Sequence, residues 1–346
     1  MLYGRATGLL VAALCCAGMA YAAEMPPSSP GDLTREDLNG SEIQIFIEND
    51  SFGSSDSQYT NGIKFGIGAP LRTLNEIFRP LSKSTLDLFS DPDADYHLGF
   101  FAGQNLYTPR DITIAAPQPL DRPWAAWLYL GGVAQRVQAN RLDTVELDLG
   151  WIGPPALGKP VQTQWHRLVD APKPRGWSNQ LRSEPGFLLS YLHKRRIGNR
   201  NGIELVPHAG VTVGTVMTLA RTGGIVRVGH NMTGFGADSI EPGGAMLKNT
   251  RREHEGAGRG AYEWFVFAGA DYRLVAHNIF LDGNVFRSGP SVDRRVAVHD
   301  FMLGASARIE SLRLSVTHIT RSEEFTTAAG GGGKQQFYSV NIGFEF

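Results

Sequence analysis

Short runs in which every second residue is apolar recur along this chain and set the strongest limit on its fold. In residues 142–151, the apolar Val145 and Leu147 alternate with the charged Glu146 and Asp148. A repeat of two residues is the period of a β-strand that has one apolar and one polar face. The same repeat returns in residues 262–268, 301–309 and 338–346. The pattern predicts an all-β protein, and the 41 glycines of the chain suit short strands joined by turns.

Strands of this kind suit either a water-soluble β-sandwich or a β-barrel in a membrane. A sandwich buries the apolar face, whereas a membrane barrel turns it to the lipid and keeps charged side chains in the lumen. The last strand favours the barrel, because a soluble domain that ended on Phe344 and Phe346 would carry two large apolar groups at a fraying end. A terminal strand ending in phenylalanine also resembles the signal by which bacterial outer-membrane barrels are recognised. The barrel-assembly machinery is therefore an expected partner during biogenesis.

Twelve strands are predicted, which together make a transmembrane antiparallel up-and-down β-barrel. Their predicted ranges are 42–49, 59–68, 96–106, 125–136, 142–152, 187–195, 202–213, 225–230, 261–275, 297–309, 312–321 and 336–346. Residues 279–281 are also apolar, but bacterial single-chain barrels use an even number of strands, so we place this segment in a loop. Even parity puts both ends of the barrel domain in the periplasm. Loops that follow odd-numbered strands, at 50–58, 107–124 and 153–186 among others, then lie on the cell exterior.

The first residues of the chain are typical of an export signal. Arg5 precedes an apolar stretch over residues 8–19, and small residues at Ala20 and Ala22 mark a cleavage site. Both cysteines of the chain lie inside this signal, which leaves the mature protein no thiol for a disulfide or a metal site.

The rest of the chain has no linker or shift of composition that would divide it. We predict a signal peptide at 1–22, an N-terminal segment at 23–40 and an outer-membrane barrel domain at 41–346. The formal net charge of -1 gives no indication of a nucleic-acid partner.

Polar clusters end the first predicted strand and begin the second. They are Glu48-Asn49-Asp50-Ser51-Phe52 and Tyr59-Thr60-Asn61-Gly62. Because the two strands form a hairpin, Asn49, Asp50 and Thr60 are expected to lie close together at one end of the sheet. Asp50, Asn49 and backbone carbonyls are hard oxygen donors of the kind that calcium prefers, with too few carboxylates for a closed all-protein site. A metal held by few ligands keeps open positions at which it can polarise an ester carbonyl.

The third exterior loop contains residues 160–170, whose spacing is helical. Pro160 suits the first turn of a helix. On another side, Gln162, His166 and Asp170 follow one another at i, i+4. His166 is thereby held toward the first hairpin as a general base for water, and Asp170 is expected to orient its imidazole. The apolar stripe of this helix, expected to lie against the barrel wall or the lipid, consists of Val161, Trp165, Leu168 and Val169.

The order of these motifs resembles that of the outer-membrane lipid A 3-O-deacylases of the LpxR type, which remove the 3′-linked acyloxyacyl chain of lipid A. The similarity runs over residues 43–346. Besides the two clusters and residues 162–166, it includes Ile152-Gly153-Pro154 and Gly176-Trp177-Ser178-Asn179-Gln180-Leu181.

This resemblance implies a twelve-stranded barrel with a calcium-dependent esterase site near its outer rim and His166 as the general base. It assigns Asn49, Asp50 and Thr60 to the same site. Asp50 is then the contact to calcium, and the other two position water or the oxyanion.

The chain departs from the family at one point. Some members place a glutamate a few residues after the histidine, and here Pro172 stands at about that position. Asp170 or Glu184 is expected to replace it, and Gln162 and Gln180 are further candidates for substrate-binding or supporting residues. Candidates for contacts to the phosphates of lipid A are Arg110, Lys173 and Arg175.

The predicted function is a calcium-dependent hydrolase of lipid A or lipopolysaccharide, embedded among outer-membrane lipids with its site facing the cell exterior. The alternatives are a related esterase that acts on phospholipids, a non-catalytic barrel that serves as a pore or surface-binding protein, and a family member whose activity has lapsed. Catalysis by Ser51, Ser178 or Ser183 is disfavoured, because none lies in a nucleophile-elbow pattern.

Overall fold

The computed structural model describes residues 40–50, 58–70, 94–138, 140–200, 202–236 and 262–346. The predicted signal peptide and nearly all of the N-terminal segment lie outside these residues. Twelve long strands make up most of the described chain. In chain order they are β1 (Glu42–Asn49), β2 (Gln58–Pro70), β3 (Asp95–Thr108), β4 (Ala125–Gln138), β5 (Arg141–Ile152), β6 (Glu184–Arg195), β7 (Ile203–Gly214), β8 (Met217–His230), β9 (Glu263–Asn278), β10 (Ala297–Ile309), β11 (Leu312–Arg321) and β12 (Gln335–Glu345).

Each strand pairs antiparallel with the next, and the ring closes where β12 pairs with β1 and β6 pairs with β7. The predicted up-and-down barrel of twelve strands is therefore confirmed. A short strand at Ile197–Arg200 continues β6 and pairs with the start of β7. Three more short strands, Asp293–Arg294, Phe325–Thr327 and Gly330–Gly331, form a small separate sheet.

The two faces of the wall are inverted relative to a soluble protein. On β5, Leu149 is 57 % exposed on the outer face, whereas Glu146 is 1 % exposed inside the lumen. Large exposed apolar side chains occur on the outer face of each strand from β2 to β11, and many of the alternate positions carry buried polar groups. A belt of this kind is stable only against lipid, so the structure excludes the soluble sandwich.

Ion pairs fill the middle of the lumen. Lys64 Nζ lies 2.6 Å from Glu146 Oε1, and Arg321 Nε lies 3.0 Å from Asp300 Oδ1. Arg273 also pairs with Asp300. Because buried charges are tolerated only when they are paired, these contacts tie distant strands together through the interior.

We call the two ends of the barrel the loop end, where odd-numbered strands finish, and the terminal end, where the amide of Gly40 donates to the carbonyl of Phe346 at 3.0 Å. Aromatic side chains close the lumen at the loop end. Phe280 stacks on Tyr107 with 4.0 Å between ring centroids, and Tyr59 meets Phe337 edge-on at 5.2 Å. The lumen is thus plugged below its loop-end rim.

Phe280 belongs to α2 (Ile279–Asp282), a short helix in the segment that was predicted to be a loop. That prediction was right in excluding a thirteenth barrel strand but missed the helix. The side chain of Asn278 caps α2 by accepting from the amide of Phe280 at 3.0 Å. Three consecutive apolar residues show no helical period, so only burial in the lumen reveals the element.

The lumen is also filled at the terminal end, by the residues that follow β8. Met232 and Phe235 are buried there, and Arg227 donates to the carbonyls of Thr233 and Gly234 at 3.1 and 2.8 Å. In the described part of the chain no helix is both long and apolar enough to cross a membrane.

Strand β8 begins at Met217, eight residues before its predicted start at residue 225. The missed half contains Thr218, Ala220 and two consecutive glycines, so it has no run of alternating apolar residues. It forms a strand because β7 and β9 supply hydrogen-bonding partners on both sides.

Candidate active site

A row of paired residues runs across β1 to β4 near the loop end. Asn49 pairs with Asn61, Asn61 with Leu106, and Leu106 with Ala126. Since strands are about 4.8 Å apart, the row spans roughly 14 Å. Because successive side chains of a strand point to opposite faces, the residues of this row lie on the outer face of the wall. The exposed Ile63 and Leu128, each two residues from a member of the row, lie on the same face. Asn49, Leu106 and Ala126 are nevertheless buried, so other parts of the chain cover them.

The cover over β3 and β4 is the loop between β5 and β6. It contains a 3-10 turn at Pro154–Ala156 and the helix α1 (Gly158–Leu168). Gln104 on the outer face of β3 donates to the carbonyl of Ala156 at 2.6 Å. At Gly158, an added Cβ would lie 2.7 Å from the Cβ of Ala126 and 2.4 Å from the Trp177 ring, so α1 approaches the wall as only glycine allows.

The polar side of α1 faces the protein. Gly158, Gln162 and His166 are buried at i, i+4 and i+8, whereas Val161 and Leu168 are exposed. The helix forms as predicted. Of its apolar stripe, Val161 and Leu168 are exposed and Trp165 and Val169 are partly buried, so the stripe lies away from the wall, which leaves the lipid as the other expected surface. Along the axis His166 lies about 12 Å from Gly158.

His166 is held by a backbone carbonyl. Its Nδ1 lies 2.6 Å from the oxygen of Pro172. A carbonyl can only accept, so Nδ1 must donate, and in the neutral ring Nε2 then carries the lone pair. The prediction that Asp170 orients the imidazole is wrong, because Asp170 is an exposed residue with a φ of 55° just beyond the helix.

Gln162 anchors α1 to a second 3-10 turn, Trp177–Asn179. Its Oε1 accepts from the indole Nε1 of buried Trp177 at 2.8 Å. Its Nε2 is buried and has no hydrogen-bond partner among the described residues. A donor is therefore available one helical turn from His166. Gln180, which follows the turn, is partly buried, and its Oε1 likewise finds no partner in the described residues.

The residues of the first hairpin lie at the other end of the row. Asn49, Asp50 and Thr60 are all buried, and the amide of Asp50 approaches the carbonyl of Thr60 at 3.5 Å. The hydroxyl of Thr60 is 2.7 Å from that of Thr108 on β3. The structure therefore brings Asn49, Asp50 and Thr60 together, as predicted. It adds Thr108, which no feature of the sequence distinguishes from other strand-end threonines.

A β-bulge shapes this end of β2. The register between β2 and β3 shifts between Tyr59 and Asn61, so that Tyr59 opposes Tyr107 while Asn61 opposes Leu106. A bulge places two residues opposite one and redirects a side chain. Tyr59 can therefore enter the lumen, where its hydroxyl donates to Glu48 at 2.9 Å, while Thr60 stays with the site.

Glu184 has a role other than the one predicted. Its carboxylate accepts from the amides of Val285 and Phe286 at 2.9 and 3.3 Å, which fixes the loop after α2. The hydrogen bonds of Glu184 are thus to the loop after α2, whereas Nδ1 of His166 lies against the carbonyl of Pro172. Of the basic candidates, Lys173 and Arg175 are exposed, and Arg110 donates to the carbonyl of Gly331 at 2.5 Å.

The oxygen donors near Asp50 are of the chemical type that binds a hard cation. Carboxylate, amide and carbonyl oxygens are the ligands that calcium takes, usually six to eight of them. Within the described residues no group of three or more His, Cys, Asp and Glu side chains converges on one point. A cation here would take its remaining ligands from carbonyls, water or substrate, so its shell would stay open.

Comparisons with known proteins agree with this architecture. Residues 9–346 match the model of the family described as "Outer membrane protein LpxR". No curated protein matches. Among solved structures, LpxR from Salmonella typhimurium aligns with a TM-score of 0.70 at 21% identity, over 88% of this chain and 100% of that one. The β domain of the Bordetella autotransporter BrkA aligns with a TM-score of 0.45 at 12% identity, over 89% of this chain and 100% of that one.

Proposed function

Because this chain belongs to the LpxR family of outer membrane proteins, we propose that it is a lipid A deacylase that hydrolyses the ester of the 3′-linked acyl or acyloxyacyl chain. The observation that carries the proposal is the placement of His166. It is buried on a helix that covers the outer face of the wall, and its Nδ1 is committed to the carbonyl of Pro172. A site on the lipid-facing side of a plugged barrel suits a substrate that arrives within the membrane.

In this mechanism Nε2 of His166 removes a proton from water as the water oxygen bonds to the ester carbonyl carbon. The bond to the sugar oxygen then breaks, and the proton passes from His166 to that oxygen. The products are a free fatty acid and a hydroxyl on lipid A. The amide Nε2 of Gln162, buried on the same helix face, is suited to donate to the oxyanion.

Calcium belongs to the same proposal, with the carboxylate of Asp50 and the amide oxygen of Asn49 as its protein ligands. When bound there, the ion would supply positive charge to the ester carbonyl. Thr60, fixed by Thr108, is assigned to position water beside it.

We further propose that the loop end faces the cell exterior and takes lipid A from the outer leaflet of lipopolysaccharide. The tight connections at Asn140 and at Glu310 lie at the terminal end, and barrels place short turns in the periplasm. A pore is disfavoured, because aromatic side chains fill the lumen at the loop end.

The first test replaces His166 and keeps a matched control. In purified protein, His166→Ala should lower fatty-acid release by roughly 10²- to 10⁴-fold, the usual contribution of a general base. Gln164→Ala, an exposed position on the same helix, should retain full activity. Heat-modifiable migration on gels checks that both barrels are folded. Full activity of His166→Ala would refute the role of this residue.

The metal proposal is tested by chelation. EGTA should abolish turnover and added calcium should restore it, while Asp50→Asn should require much more calcium for the same rate. Undiminished turnover in EGTA would end the calcium assignment but not the assignment of His166.

The substrate class can be determined by mass spectrometry of lipid A and phospholipids from cells that express the protein. Cells that express the protein should contain lipid A that lacks one defined acyl group, and cells that express His166→Ala should not. Release of fatty acid from phospholipids alone would establish the related esterase instead, and no change in either lipid would indicate a lapsed enzyme.

A further inference from the structure

An apolar groove lies on the outer face of the barrel below the site. Its volume is about 780 Å³, and its walls come from the four neighbouring strands β3 to β6, from Thr215 and from the loop after α2. The large side chains that line it are Leu128, Leu130, Leu149, Trp151, Phe187 and Phe286.

The groove is a built feature of the wall and more than a gap between surface side chains. Phe286, which is 63 % exposed, stands over it on a loop that is fixed at two points. Glu184 accepts from the amide of Phe286, and the side chain of Asn284 exchanges two hydrogen bonds of 2.8 Å with the backbone of Arg182. A large apolar ring is thereby held outward, in a position that only an apolar neighbour would favour.

Strand register joins the groove to the site. Leu128 lies two residues along β4 from Ala126, on the same outer face, and Ala126 packs under the first turn of α1. Two residues of a strand span about 7 Å. Leu128 pairs with Trp151, and Leu130 pairs with Leu149. These two neighbouring rows of paired residues line the groove, which therefore extends along the wall away from the loop end.

We propose that this groove binds the fatty acyl chain of the ester that is cut, and so sets the chain length that the enzyme prefers. The inference rests on the proposed function. An ester held under α1 beside His166 can extend its acyl chain along the wall toward this groove, which begins one row below Ala126. The groove is continuous with the lipid-facing belt, so the chain can enter sideways from the leaflet without crossing water.

The first experiment fills the groove and measures selectivity. Ala102 lines it from β3, and Ala305 is an exposed outward alanine on β10, across the barrel. Since each buried methylene contributes about fourfold to binding, Ala102→Phe should shift the ratio of kcat/KM between long and short acyl substrates toward short ones by about tenfold or more. Ala305→Phe should leave the ratio unchanged. An unchanged ratio in Ala102→Phe would overturn the proposal.

The second experiment does not depend on turnover. Folded His166→Ala protein in outer-leaflet-like vesicles is exposed to lipid A that carries a photoreactive diazirine in its ester-linked chain, and cross-linked peptides are mapped by mass spectrometry. Cross-links concentrated at residues 128–130, 149–151 and 286 support the groove, and cross-links spread evenly around the belt refute it. If the wild-type protein fails to deacylate lipid A, the proposed function falls, whereas this labelling still decides whether the groove takes an acyl chain.

Discussion

At the residue scale, a backbone carbonyl places the proton of neutral His166 on Nδ1. The carbonyl of Pro172 can accept but never donate, so it fixes the tautomer as firmly as a carboxylate would, without adding a negative charge. This contact is therefore compatible with a lone pair on Nε2. Gln162 has the complementary role, because it fixes the helix that carries this histidine.

Replacing Gln162 should show how much the site depends on that anchor. Gln162→Leu keeps the volume but leaves the buried indole Nε1 of Trp177 without an acceptor, at a cost of about 1–3 kcal/mol. We expect faster hydrogen exchange in α1 and at least tenfold lower turnover. Gln164→Leu on the exposed side should change neither quantity.

A second variant separates the two roles of Gln162, which are to anchor α1 and to donate a hydrogen bond through Nε2. Gln162→Glu retains an oxygen for Trp177 but loses the amide Nε2. If α1 stays protected while activity falls, the donor contributes to the reaction itself. Recovery of both protection and activity would contradict a role for Nε2.

At the element scale, the loop end depends on short irregular elements that interact with regular strands. The bulge at Thr60 sends Tyr59 into the lumen, and α2 carries Phe280 against Tyr107. Asp282 at the end of α2 accepts from the amide of Asn278 at 2.8 Å and from Nε of Arg294 at 3.0 Å. These contacts fix the aromatic plug beside the site.

The Asp282 contacts predict a pH dependence for α2. Burial alone would raise the pKa of Asp282, but hydrogen bonds from His277, Asn278 and Arg294 outweigh it and lower the pKa below its ordinary value of 3.8. A carboxylate with a depressed pKa stabilises the fold above the unfolded value and loses that contribution as pH falls through the folded value. Hydrogen exchange in α2, measured relative to the intrinsic exchange rate at each pH, should therefore accelerate below about pH 4.

Substitution provides the control for this pH effect. Asp282→Asn should loosen α2 by about 1 kcal/mol at pH 7 and remove the acceleration at low pH. Asp293→Asn, an exposed position in the same loop, should behave like the wild type. An identical acid response in Asp282→Asn would assign the effect to another group.

At the scale of the whole molecule, the barrel is a closed support that presents its site on the outside. Aromatic rings fill the lumen at the loop end, ion pairs fill its middle, and residues 232–236 fill the terminal end. The interior therefore contributes rigidity, and the reaction that we propose takes place on the outer face of the wall.

A sealed lumen makes a prediction that distinguishes this protein from a channel. Purified protein reconstituted in planar bilayers should produce no stepwise conductance, because buried aromatic side chains of the described residues fill the lumen at the loop end. A porin measured in the same bilayers is the positive control. Regular single-channel steps from the wild-type protein would contradict the plugged lumen and support the alternative function as a pore.

The sequence by itself determined the barrel, because a period of two residues is a local property that marks each strand and its faces. Alternation in residues 142–151 predicted β5, and the polar ends of β1 and β2 predicted that Asn49, Asp50 and Thr60 would meet. The helix α1 was predicted for the same reason, because the helical spacing of its residues is also a local property of the sequence.

Only the tertiary structure decided where the loops lie and what they contact. The path from Gly153 to Glu184 places α1 on the outer wall, gives His166 a partner in Pro172, and leaves Asp170 exposed. Glu184 meets residues about a hundred positions away. Such contacts join parts of the chain that no local period relates, so they follow from the closure of the barrel and the packing of its loops.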